Sequence, residues 1–284
     1  MTIKKSPLVI VAFTAGLALT PHFALASSIG LNFVNGGDQI NNAPADALLT
    51  SEAAGAPGFV QTNWNNLGRW GNPNAVNDST GAPSGVTLAW DATGTWTDAA
   101  GNATPDNKLF NGYLDSNGGV NPAGNPTGVF ANNNYKPLVY LTGLSGWLAA
   151  QSATSFSLVV YVDGDTTDGR TGEYWAQSVT GGHNSFSVNG DITSHIFNSD
   201  TATFSGVYDQ VSNASTAGIG ADSGNYIVFE GLTADTFVVR TEEFAVRSPI
   251  NGLQIVATVV PEPSTVGLLG LGLAGLLTRR RRTA

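Results

Sequence analysis

The chain has 284 residues, of which only 12% are charged while an ordinary 42% are hydrophobic. Lys4, Lys5 and the arginines 279–282 supply half of its 12 basic residues, so the stretch between holds 20 acids, from Asp38 to Glu243, against six bases, a net charge near −14. That balance excludes nucleic acid as a partner, since binding it needs Lys and Arg to neutralise phosphates, and it favours divalent cations or neutral glycans. The absence of cysteine excludes disulfides and a lipidated cysteine anchor, leaving stability to the core alone.

Residues 1–26 have the parts of a secretory signal: Lys4 and Lys5 in a basic region, an apolar run over 8–19, and the small-residue site Ala24-Leu25-Ala26. The pattern predicts cleavage after Ala26. A buried first helix would leave the lysine pair and the Ala-x-Ala site unexplained.

Residues 27–258, a comfortable size for one sandwich, read as a single exported domain. The period is two: Phe156, Leu158, Val160 and Val162 alternate with Ser155, Ser157, Val159 and Tyr161, placing apolar side chains on one strand face. Further strand candidates are 29–34, 86–90, 109–114, 138–142, 173–179, 226–230, 236–240 and 253–258, separated by Gly, Asn, Asp and Pro clusters. No long amphipathic helix competes with them. The expected fold is all-β, an antiparallel β-sandwich of jelly-roll type. Over 63–134 the chain is rich in Asn, Gly and Pro, with Trp64, Trp70, Trp90 and Trp96 among them. These tryptophans either close core edges beneath long loops or present aromatic faces to sugar rings.

The densest acidic cluster follows the clearest strand: Asp163-Gly164-Asp165-Thr166-Thr167-Asp168-Gly169-Arg170. Asp163, Asp165 and Asp168, with Glu173 as a further ligand, are a candidate Ca²⁺ site, because a turn can wrap the ion in carboxylate oxygens. The phrase departs from the EF-hand loop, where an acid stands at the place of Thr167 and Gly falls one position earlier. The alternative is a hairpin turn in which Asp accepts local backbone hydrogen bonds and Gly supplies a positive φ. Catalytic signatures are missing: no Gly-x-Ser-x-Gly, no HExxH, no phosphate loop, and His183 and His195 read as surface or turn residues. Glu173, Glu230, Glu242 and Glu243 offer carboxylates for a glycosidase, though their placement at strand ends fits an exposed rim more simply.

Residues 259–284 hold Pro261-Glu262-Pro263, an apolar run over 266–277 and the cluster Arg279, Arg280, Arg281 and Arg282. As a helix the run is about 18 Å long against a hydrocarbon core of about 30 Å, short for a permanent span unless arginines snorkel and the bilayer thins. The arginines act as a membrane stop and place the C-terminus in the cytoplasm with the domain outside. The prolines keep the helix from running on and hold an extended peptide at the interface. This order of parts resembles the PEP-CTERM sorting segment. The resemblance implies a Gram-negative host, recognition of Pro261, Glu262 and Pro263 by an exosortase, and delivery to the cell surface or an extracellular matrix. Phrases in the domain also resemble a group of secreted sandwich domains found beside such segments: 29–34, Trp64-Asn65-Asn66, 161–165 with Gly169-Arg170, and 250–255. That likeness implies a galactose-binding-like jelly roll and carries no catalytic residues.

The expectation is a non-enzymatic surface or matrix protein, sorted by an exosortase, inserted in the membrane by its C-terminal helix and binding glycan or neighbouring matrix components through its sandwich. No cofactor is expected apart from the candidate Ca²⁺. The alternative is a surface-displayed glycan hydrolase or lyase, which needs two facing carboxylates in a cleft.

Overall fold

The computed structural model describes residues 27–34, 45–92, 94–97, 104–115, 137–163, 170–200, 204–211, 223–243 and 248–259. The expected signal segment, Asp165, Asp168 and the sorting segment from Val260 onward lie outside them.

In chain order the strands are β1 Ser28–Phe33, β2 Asn65–Leu67, β3 Gly71–Asn77, β4 Pro83–Asp91, β5 Gly94–Thr97, β6 Gly112–Asp115, β7 Leu138–Thr142, β8 Ser155–Tyr161, β9 Arg170–Thr180, β10 Ser187–Asp200, β11 Tyr226–Leu232, β12 Phe237–Glu243 and β13 Gly252–Thr258. Two short helices interrupt them, α1 Pro105–Asn111 and α2 Leu144–Ala150. Among the described residues the strands form a five-stranded sheet ordered β11-β8-β13-β1-β2, a six-stranded sheet ordered β10-β9-β12-β7-β4-β3, and the β5-β6 hairpin. Every pairing is antiparallel except β1 with β2. With β2, β3, β4, β5 and β6 set aside, the remaining eight strands, numbered in chain order, stand 6-3-8-1 in one sheet and 5-4-7-2 in the other.

The period-two pattern explains the layering. Phe156, Leu158 and Val160 of β8, Leu253 and Ile255 of β13 and Ile29 and Leu31 of β1 meet Val139 and Leu141 of β7, Tyr174 and Ala176 of β9 and Phe237 and Val239 of β12 in one buried cluster between the sheets. Val159 and Tyr161, on the opposite face of β8, are also fully buried. They pack in a second cluster with Leu48, Ala56, Trp64, Phe110 and Phe204, so the outer face of the five-stranded sheet is covered by the segment before β2, by α1 and by residues 204–211.

Hydrogen bonds fix this cover. The Tyr161 hydroxyl accepts from Ala56 N at 3.1 Å and donates to Gln254 Oε1 at 2.9 Å, and Gln254 Nε2 donates to Gln61 Oε1 at 2.8 Å. Tyr208 donates to Asp106 Oδ1 at 2.6 Å, and Gly55 N donates to the same carboxylate at 3.1 Å. Burial pushes both phenols well above the usual tyrosine range, and the Asp106 carboxylate raises Tyr208 further.

The strand expected over 109–114 is divided: Leu109 and Phe110 belong to α1, and β6 begins at Gly112. Thr104 caps the helix by accepting from Asn107 N at 3.1 Å, and Pro105 enters the first turn with its fixed φ. The helix stops where the chain must pass close to β1, because a Cβ on Gly112 would lie 2.3 Å from Phe33 O and 2.7 Å from Asp46 Oδ2. The capping of α2 is non-local: Ser145 N donates to Asp235 Oδ1 at 2.9 Å and the Ser145 hydroxyl bonds to the same atom. These donors hold the Asp235 carboxyl below the usual range.

The register gives the domain two ends. Ser28 lies opposite Val256, Ser155 opposite Thr258, and Ala257 N donates to Ser27 O at 3.0 Å, so both ends of the domain's chain leave side by side at what we term the near end. The turn after β3 joins them there, with Ser79 N donating to Ser28 O at 2.7 Å. β1, β4, β8 and β12 run toward the far end.

Candidate functional site

Asp163, the first acid of the candidate Ca²⁺ turn, stands at the far end just beyond β8, 3% exposed, with its N–H donating to Asn251 Oδ1 at 2.7 Å. Asn251, fully buried, also donates from Nδ2 to Phe110 O at 2.7 Å and to Gly112 O at 3.2 Å. One side chain thus clamps the end of β8 to the α1–β6 junction. Among the described residues no group of three His, Cys, Asp or Glu is placed to hold a metal ion. Asp165 and Asp168 lie outside those residues.

The phrases singled out in the sequence have structural work to do. Asn66 Oδ1 accepts from Asn32 Nδ2 and from Leu48 N, each at 2.9 Å, while Asn65 Nδ2 donates to Gly30 O and to Asn77 O, also at 2.9 Å. The asparagine pair after Trp64 therefore ties β1 to its cover and to β3. Trp64 and Trp90 are buried, with indole N–H groups bonded to Gln61 O at 3.1 Å and Gly68 O at 2.8 Å. Trp70 packs against the outer face of the six-stranded sheet, and Trp96 on β5 is 51% exposed. The four do not form one aromatic platform.

Of the glutamates, Glu173 on β9 and Glu242 on β12 are register partners in one sheet, whereas Glu230 is exposed on β11 in the other. His183 sits in the turn after β9, its ring 6.2 Å from that of Tyr140, and His195 lies on β10 opposite Trp175.

A different constellation stands on the outer face of the six-stranded sheet, on positions alternating with Tyr174, Ala176 and Val239 of the core. Arg240 and Trp175 are directly opposed across β12 and β9, and the guanidinium carbon lies 4.3 Å over the Trp175 ring. Gln177, two residues along β9 on the same face, is 2% exposed, and among the described residues its Oε1 accepts no hydrogen bond. Arg240 Nε likewise makes none. Toward the near end the face is closed by Tyr140, whose hydroxyl donates to Gly181 O at 2.7 Å and whose ring meets Phe186. The far-end side carries a partly exposed Arg240 backed by the Trp175 indole, whereas Gln177 Oε1 and Arg240 Nε are themselves buried. Trp175 and Gln177 fall within an expected strand, but their meeting with Arg240 depends on the β9–β12 register, which no local pattern encodes.

At the other end of the chemistry, β13 runs to Thr258 and delivers the chain at Val259. Among the described residues no helix is long and apolar enough to cross a membrane; residues 266–277 lie outside them. No curated protein matches the chain. Residues 259–282 match the family model described as the PEP-CTERM protein-sorting motif, beginning at the residue after the last strand. The chain thus carries a PEP-CTERM sorting motif, and it is an exported protein that an exosortase sorts by way of the membrane to the cell surface.

Proposed function

We propose that the exported domain is a non-enzymatic, glycan-binding jelly roll displayed on the surface or in the extracellular matrix of a Gram-negative bacterium. It passes through an intermediate anchored in the inner membrane by the short C-terminal helix. The strand order 6-3-8-1 facing 5-4-7-2 supports the jelly roll, since it is the order two interlocked Greek keys produce. The observation that carries the binding reading is the partly exposed Arg240 guanidinium held over the Trp175 ring, which offers N–H donors to a sugar hydroxyl. A domain near −14 repels polyanionic glycans, which favours neutral ones.

A glycan-array screen of the exported protein, followed by titration of Arg240→Ala and Trp96→Ala, tests this. Arg240→Ala removes the donors held over Trp175, so binding should fall by roughly tenfold, the equivalent of about 1.4 kcal/mol. Unchanged binding in Arg240→Ala with loss in Trp96→Ala would place the glycan on the β5–β6 hairpin instead. Release of reducing sugar from a bound glycan would favour the hydrolase.

A further inference from the structure

β13 is not an edge strand. It is hydrogen-bonded to β8 on one side and β1 on the other, and Leu253, Ile255 and Ala257 are buried to 1% exposure or less. Peeling it away would split the five-stranded sheet and expose its share of the core, so the strand stays in place up to Thr258. Only Val259 and Val260 separate that residue from Pro261. Three residues reach about 10 Å when extended, so the sorting tripeptide is held within that distance of the near end. Counted to the apolar run that starts at Val266, the tether reaches about 25 Å, of which a headgroup layer of about 5 to 7 Å takes part. The near end therefore stands close above the membrane while the motif is engaged.

Its surface chemistry points to a protein partner rather than lipid. Among the described residues the near end carries no Lys or Arg to hold it against anionic headgroups; Arg69, Lys108, Arg170 and Arg240 belong to elements or strand positions toward the far end. Glu230 is exposed on the near half of β11, and two other acids are engaged within the domain. Asp78 Oδ1 accepts from Thr80 N at 2.9 Å and Ala82 N at 3.2 Å, and Asp235 caps α2. Exposed at and near the exit are Val259 at 39% and the small neutral Thr154 beside Ser155 and Thr233 just past β11.

We propose that this near end is the docking surface on which the exosortase seats the folded domain while it grips Pro261, Glu262 and Pro263. The inference rests on the sorting reading and adds the partner surface to it. An enzyme that surrounds an extended tripeptide extends further than the 10 Å available, so it meets the domain as well as the tail.

The test uses the full chain in a host carrying the exosortase, following conversion of the precursor to the processed form. Thr154→Arg with Thr233→Arg places two bulky cations beside the exit, both at exposed positions. It should slow processing roughly fivefold or more, the equivalent of losing about 1 kcal/mol of docking. A Gly/Ser insert of about 12 residues between Val259 and Val260, whose root-mean-square reach is about 17 to 21 Å, should restore the rate of that same variant. Resistance of the exported domain to thermolysin checks that the variants fold. Processing of the arginine variant at the unaltered rate overturns the proposal, and so does slowing that persists with the insert. Faster processing overturns it in favour of a lipid contact, which added cations strengthen. If the unaltered chain is not processed at all, the sorting reading itself fails and this proposal with it.

Discussion

Replacing Tyr161 with Phe removes one oxygen from the place where the cover of the five-stranded sheet is fastened. The ring is fully buried among Trp64, Phe110, Tyr208 and Tyr226, so its packing survives the change. Two partners are stranded: Ala56 N, which donates to the hydroxyl, and Gln254 Oε1, which accepts from it. An orphaned buried polar group costs about 1–3 kcal/mol, so the variant should lose about 2–5 kcal/mol, a large part of a typical total of about 5–15 kcal/mol. Tyr226→Phe is the control, because that hydroxyl makes one long bond of 3.3 Å to Gln210 in a partly exposed setting and its loss should cost well under about 1 kcal/mol. Urea unfolding of residues 27–259 measures both. Since Tyr161→Phe and Gln254→Ala each orphan the other's partner, the double variant should lose less than the sum of the two by about 1 kcal/mol or more. A Tyr161→Phe loss within about 0.5 kcal/mol of zero, or strict additivity in the cycle, would refute the idea that this pair fastens the cover.

Gly112→Ala drives a methyl group into Phe33 O and Asp46, so thermal unfolding should show a loss of about 3 kcal/mol or failure to fold. Asp235→Ala removes the cap of α2 at a cost of about 1 kcal/mol. Because the Asp235 carboxyl titrates below the usual range, its contribution is present above the unfolded value and lost as pH falls through the lower folded one. The variant should therefore show a shallower acid limb in a stability–pH profile. Tyr161 and Tyr208 are raised above the usual range, so the stability they hold is intact below about pH 10 and declines as the pH climbs beyond it; circular dichroism through alkaline titration reads this out. Millimolar Ca²⁺ should raise the melting midpoint if Asp163, Asp165 and Asp168 bind it, by about 2.7 kcal/mol of added stability at 100 times the dissociation constant, and identical midpoints with chelator would retire that site.

The features legible in the sequence alone are those written in adjacent residues. Period-two alternation marks β8, β13 and β1, because successive side chains of a strand face opposite ways whatever the strand pairs with. Pro261-Glu262-Pro263, the apolar run and the arginines are read in order along the chain, so the sorting motif is as plain in the sequence as it is in the family match. The strand expected over 109–114 hides α1, because that seven-residue helix is too short for its apolar residues to show a 3.6 period, and Leu109 and Phe110 pass for a strand. β10 reads as polar and turn-like, and it is a strand because β9 offers it a partner. Only the tertiary structure sets which strands are neighbours, and with that everything that depends on a meeting of distant residues. Asp235 reaches α2 from 90 positions away, Gln254 reaches Tyr161 from 93, and Arg240 lies over Trp175 because β12 and β9 share one register. Hydrophobic pattern specifies which face of a strand is buried, but the partner is chosen by the summed packing of all the strands at once, which no window of the sequence contains.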